Sequence, residues 1–142
     1  MIINLTQHQE SLEQRNAGVV PRDPLETARA QELLTFSVRP TRKEVDLRAE
    51  NLAQLAVSMH AVRTGGDPFA ELSCQPLWGI QVMIGGASFL MSALERELRK
   101  TGAHVVHSFS RRESQEVAMS DGSVEKVSRF VHDGFVSGGT YV

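Results

Sequence analysis

Three kinds of hydrophobic run alternate along this chain, and each predicts a different element. Ile2 to Thr6 (IINLT), Trp78 to Ile84 and Ala103 to Phe109 (AHVVHSF) are short and rich in apolar residues. Runs of this kind predict strands buried in a mostly parallel sheet. Elsewhere the apolar positions recur at three- and four-residue steps, the spacing of amphipathic helices. Leu90, Met91, Leu94 and Leu98 form one such stripe, with Glu95, Arg96, Glu97, Arg99 and Lys100 opposite. Val45, Ala49, Leu52, Ala56, Met59 and Arg63 trace another, widened by Leu55 and Val62, and predict the longest helix. Leu25, Ala28 and Leu33 mark the inner side of a helix ending near Leu34. Near the end, Gln115 to Met119 and Ser123 to Val131 flank Ser120-Asp121-Gly122, and Asp-Gly between two such runs predicts a hairpin. Lys126 and Arg129 fall on opposite faces of it, so it is expected to lie at an edge or project outward, with Phe130, Phe135 and Val136 returning the chain to the sheet.

Local punctuation sharpens these boundaries. Ser11 with Gln14, and Thr41 with Glu44, have capping-box spacing, and Asp23-Pro24 with Glu26 is a helix start. Ala17-Gly18 closes the first short helix, and Val19-Val20 reads as a very short strand stopped by Pro21. Gly85-Gly86 ends the Trp78 strand, Glu95 can reach Arg99 one turn on, and Gly102 is the expected left-handed helix stop. Thr64 to Leu77 (TGGDPFAELSCQPL) reads as a loop, Ser110 to Ser114 as a second one, and Ser137 to Val142 as a frayed end. The resulting order is strand, helix, strand, two helices, strand, helix, strand, hairpin. It predicts one α/β domain over residues 1–142, a small Rossmann-like, mostly parallel sheet flanked by helices, with a C-terminal β-hairpin.

In such sheets ligands sit beyond the carboxyl ends of the strands, where the winding direction reverses. If the first strand and the Trp78 strand are neighbours there, Thr6-Gln7-His8, Gly85 to Ser88 and Ser108 to Glu113 converge. Backbone N–H groups after Gly85 and Gly86, with the hydroxyls of Ser88 and Ser110, are suited to phosphate oxygens, and Arg111 or Arg112 to clamping them. Thr6 and Gln7 are placed to read a sugar or base edge. His8 is a candidate acid or base, and Glu113 can orient it. The expectation is therefore a binding module for a nucleotide or other phosphorylated ligand. A second reading is a metal-independent phosphodiesterase using His8, Arg112 and Glu113. A third is an accessory protein acting by protein contact through the long helix, in which case the crevice would be plugged by side chains.

Composition narrows the alternatives. The formal charge of −2 gives no electrostatic footprint for bulk nucleic acid. Cys74 is the only cysteine, which excludes an intrachain disulfide and a thiolate zinc site, and it reads as a structural thiol. His104 and His107 lie three apart in a predicted strand and point to opposite faces, His60 and His132 have no carboxylates at ligand spacing, and no metal or cofactor is expected. No G-x-S-x-G elbow is present, which counts against Ser88 and Ser110 as nucleophiles. The opening residues do not read as a signal peptide, and no apolar run approaches the roughly 20 residues of a membrane span, so a cytoplasmic protein is expected.

INLTQHQESLEQRNAGVV, MIGGASFLMSALERELRKTG and FSRRESQE together resemble a family of small uncharacterised bacterial proteins of plasmids, phages and integrative elements. The resemblance spans most of the chain and carries no established activity. More distantly, the architecture is similar to the CRISPR-associated Rossmann-like fold, whose dimers bind cyclic oligoadenylates and sometimes cleave them. That similarity implies a homodimer and a nucleotide or cyclic oligonucleotide as partner.

Overall fold

A computed structural model of the chain describes residues 1–65 and 75–138. Its elements are β1 (Ile2–Leu5), α1 (Leu12–Asn16), α2 (Pro24–Leu34), α3 (Arg42–Arg63), β2 (Gln81–Ile84), α4 (Ser88–Lys100), β3 (His104–Ala118) and β4 (Val124–Ser137). They build an α/β fold around one four-stranded sheet in the order β1-β2-β3-β4. β1, β2 and β3 run parallel, with Ile3 beside Val82 and Val82 beside Val105, and β4 returns antiparallel to β3.

Strand alternation divides the core between two faces. Ile3, Leu5, Val82, Ile84 and Val105 join one cluster with the inner residues of α2, α3 and α4, among them Leu33, Leu52, Met59, Leu94 and Leu98. Burying each leucine contributes roughly 2 kcal/mol. On the other face Ile2, Met83 and Val106 form a smaller cluster with Val19, against which Phe135 packs. The three long helices therefore occupy one face, and the other has room for a cleft at its upper edge.

The caps behave as their side chains require. Ser11 and Asp23 each form the reciprocal box with the residue three positions on, and Thr41 accepts from the Glu44 N–H. α2 and α3 are further tied where Arg63 meets the Glu26 carboxylate through two bonds of 2.7 Å. Those bonds, chiefly, hold the Glu26 carboxyl below the ordinary glutamate range. A carboxyl lowered by folding stabilises the fold above its unfolded value, and that contribution fades as pH falls through the folded one. Glu26→Gln is expected to cost about 1–3 kcal/mol at neutral pH and to flatten the acid limb of stability, as read by urea denaturation between pH 7 and pH 3.

Several expectations are corrected. The extended run begins at Gln81, not Trp78, because Gly79 has φ +75° and residues Gln75 to Ile80 form a turn in which Ile80 N–H bonds Leu77 O. Trp78 is consequently 75% exposed. Val19-Val20 is a single parallel bridge, Ile2 to Val19, on the outer side of β1, since Pro21 ends the run. In α2 the buried residues are Ala30, Leu33 and Leu34, while Leu25 faces solvent. In α3, Ala53 is buried where Val62 was expected. The largest change concerns Ser110 to Ser114, read as a loop, which continues β3 without a break except for a register shift after Phe109. The β4 partner supplies the ladder that local propensity did not suggest. The expected hairpin is thus the outer half of β3 and β4, closed over Gly122 at φ +87°. Cys74 and the middle of the Thr64 to Leu77 loop lie outside the described residues, as do the last four positions.

Candidate functional site

The carboxyl ends of β1, β2 and β3 open into a cleft of about 380 Å³. This is within the size range of small-molecule sites. Thr6, Gln7 and His8 line it from β1, Met83 to Gly86 from β2, His107, Ser108 and Ser110 from β3, and Gln14 from α1. β1 and β2 are direct parallel neighbours, and Val19 bridges the far side of β1. The chain therefore leaves β1 first to one side and then to the other, which is the reversal that leaves a crevice in open sheets.

The β1 wall is held from beneath by Asn4, which is fully buried. Its Oδ1 accepts from the Thr6 N–H at 2.9 Å and the Thr6 hydroxyl at 2.7 Å, and its Nδ2 donates to the His8 carbonyl at 3.1 Å. Arg22 closes the same turn from outside, donating to Thr6 O at 2.7 Å and His8 O at 2.9 Å. Burial, opposed by Glu10 and Glu26, lowers the pKa of this guanidinium, and its Nε has no hydrogen-bond partner among the described residues. Thr6 and Gln7 are therefore spent on structure: the Gln7 side chain donates to Leu34 O and to Thr35 Oγ1 at the end of α2. The exposed His8 imidazole makes no hydrogen bond among the described residues.

The β2 wall is the Gly85-Gly86 turn leading into α4. Gly86 has φ +150°, and a Cβ there would contact the Leu34 and Met91 side chains at 3.5 and 3.6 Å. Ala87 caps α4 with no side-chain hydrogen bond, so the first N–H groups of the helix have no side-chain acceptor from the cap. Ser88 opens the helix but does not line the cleft.

The β3 wall carries two histidine pairs that sequence spacing did not reveal. His107 Nε2 lies 3.1 Å from Glu95 Oε1 of α4. On the opposite side of the strand Ser108 Oγ lies 2.9 Å from His132 Nδ1 and accepts from Gln14 Nε2 at 3.1 Å. The His132 ring is tilted against Phe135 with centroids 4.7 Å apart. The partners in these pairs are 12, 24 and 94 positions apart, and only the β3 to β4 register and the docking of α1 join them. His104 is turned away, 3.1 Å from Ser137 Oγ.

The structure separates the arginines from the cleft. Arg111 pairs with Glu113 at 2.9 Å and approaches Asp133 at 4.0 Å, while Arg112 stands over the Phe130 ring at 5.7 Å. None of Arg111, Arg112 and Glu113 lines the cleft, since β3 carries them past its rim as strand residues. Among the described residues no Lys or Arg side chain lines it, no group of His, Cys, Asp and Glu is arranged to hold a metal ion, and no helix is long and apolar enough to cross a membrane.

Neither a curated protein nor a solved structure matches this chain. A family model does match, over residues 1–136, and so takes in every element that lines the cleft. The chain thus belongs to the uncharacterized protein MJ1673 family.

Proposed function

We propose that this protein binds a nucleotide, or another phosphate ester of low charge, in the cleft at the carboxyl edge of its sheet. The observation that carries the reading is the cleft itself: about 380 Å³ of open space walled by the Gly85-Gly86 turn that leads into α4. Backbone N–H groups there suit phosphate oxygens without demanding a counter-charge. With no Lys or Arg lining the cleft, a phosphodiester is favoured over a triphosphate. A cyclic dinucleotide or cyclic oligonucleotide meets that condition, carrying one charge per phosphate. The protein-contact reading calls for a filled crevice, so an open one ranks it lower.

Ser108 and His132 favour a second reading, metal-independent cleavage of such a diester. A hydroxyl 2.9 Å from an imidazole nitrogen has the geometry of a nucleophile beside its base. In that reaction Ser108 Oγ attacks phosphorus and its proton passes to His132. The P–O bond to the leaving alkoxide breaks, the alkoxide takes that proton, and water then hydrolyses the seryl phosphodiester. His132, neutral again once the alkoxide has taken its proton, can activate the water.

One experiment addresses both readings. The protein is incubated with linear and cyclic dinucleotides and with cyclic oligonucleotides in the presence of a chelator, and thermal shift and product formation are read together. The expected result is a rise in melting temperature for a diester ligand, lost in Gly85→Val, whose Cβ would stand 3.5 Å from Thr6 Cγ2 at the cleft wall. If no nucleotide shifts the wild type, the binding reading is wrong. Turnover that falls about 100-fold or more in Ser108→Ala, with the thermal shift kept, supports cleavage; unchanged turnover removes Ser108 from it.

A further inference from the structure

The outer half of the β3 to β4 hairpin is anomalous for an isolated chain. From Ser110 paired with His132 to Ala118 paired with Val124, the two strands form a ribbon nine residue pairs long. β2 pairs with β3 only as far as Val106. Beyond that point no third strand joins the ribbon among the described residues, and its β4 edge leaves a row of backbone N–H and C=O groups open. Two-stranded ribbons are marginal in water without a further strand or a packed face, and long open edges are templates for pairing. This one also exposes Val124, Val127 and Phe130, the last by 73%.

We propose that the β4 edge of the ribbon pairs antiparallel with the same edge of a second copy of this chain, joining two ribbons into a four-stranded intermolecular sheet. The occupant follows from the sequence of the edge, which is self-complementary about Val127. A two-fold axis through Val127 sets it beside the partner's Val127. The same axis sets Glu125 against the partner's Arg129, and Val124 against the partner's Phe130. The Glu125 and Val124 pairings each occur twice, and every pairing keeps side chains on a common face, as a two-fold interface requires. Glu125 and Arg129 have no ion-pair partner among the described residues, whereas Arg111 on β3 is already matched by Glu113 and Asp133. Arg112 is likewise committed to the Phe130 ring. Glu116 on β3 and Lys126 on β4 also have no ion pair among the described residues but face each other across the ribbon, which leaves Glu125 and Arg129 on the β4 edge in an order that a second copy neutralises. No proline interrupts Val124 to Ser137. This surface is independent of the ligand reading, since none of Val124 to Val131 lines the cleft.

The test uses the whole chain, with oligomeric state measured by light scattering during size exclusion and Kd by sedimentation. The wild type is expected to be a dimer. Glu125→Arg and Arg129→Glu each replace two attractions by two repulsions and are expected to weaken the dimer by about tenfold or more. The combined Glu125→Arg, Arg129→Glu protein restores the pairing with charges exchanged and is expected to regain dimerisation. Circular dichroism of each variant establishes that the monomer remains folded, and Phe130→Ser tests the apolar pair without altering charge. A monomeric wild type overturns the proposal. So does a dimer insensitive to either reversal and to Phe130→Ser, and so does a combined variant no tighter than the single ones.

Discussion

Asn4→Leu is expected to destabilise the protein by about 2–4 kcal/mol and to loosen the β1 wall of the cleft more than any other part. Leucine keeps asparagine's branching with bulkier methyl ends, so no cavity results and the loss is chiefly one of hydrogen bonds. Asn4 is fully buried and makes three of them, two accepted from Thr6 and one donated to His8 O. Each buried polar group left without a partner costs about 1–3 kcal/mol. His8 O keeps its bond from Arg22 and Thr6 Oγ1 can still reach His8 O at 3.1 Å, which is why the total stays below the sum for three orphaned groups. The Thr6 N–H has no such reserve. Urea denaturation should show a lower midpoint with the slope unchanged, and hydrogen exchange should quicken first at Thr6. If exchange at Thr6 keeps wild-type protection, Asn4 is not what holds the turn.

Gly102→Ala is expected to cost about 2–4 kcal/mol, several degrees in melting temperature for a chain of this size. Two effects combine. The residue sits at φ +86°, where an L side chain costs roughly 1–2 kcal/mol. An added Cβ would also stand 3.1 Å from Trp78 Cα, 3.2 Å from Trp78 N and 3.0 Å from Gln75 Cβ. Backbone atoms cannot move aside as a flexible side chain can. The turn there is fixed by Leu77, which is fully buried and donates its N–H to Thr101 O at 2.8 Å. Gly122 provides the comparison, at φ +87° with nothing within 4 Å of an added Cβ. Gly122→Ala should therefore show the conformational cost alone, about 1–2 kcal/mol. Equal losses at the two positions would mean that the contact with the Trp78 turn carries no weight.

These two residues show where reading the chain succeeds and where it stops. Gly102 was legible as a helix stop because its conformation is local: a cationic last turn followed by glycine. Its crowding against Trp78 was not, because that contact depends on how the preceding turn docks. Asn4 gave no signal at all. A single polar residue in an apolar strand looks like a tolerated exception until the chain folds back at His8 and supplies three partners.

The sequence by itself determined the α/β class, the caps at Ser11, Asp23 and Thr41, the buried stripe of α4, and the Gly85-Gly86 turn that leads into it. All of these follow from hydrophobic period and from side chains acting on backbone within four residues, interactions that survive without knowledge of the rest of the chain. Tertiary structure alone decided that Ser110 to Ser114 is strand, that Arg111 and Arg112 travel past the cleft, and that Ser108 meets His132 and Gln14 while His107 meets Glu95. Those outcomes depend on the pairing of β3 with β4, whose ladder bonds and register join residues far apart in sequence and override the weak local preference of a charged, serine-rich segment.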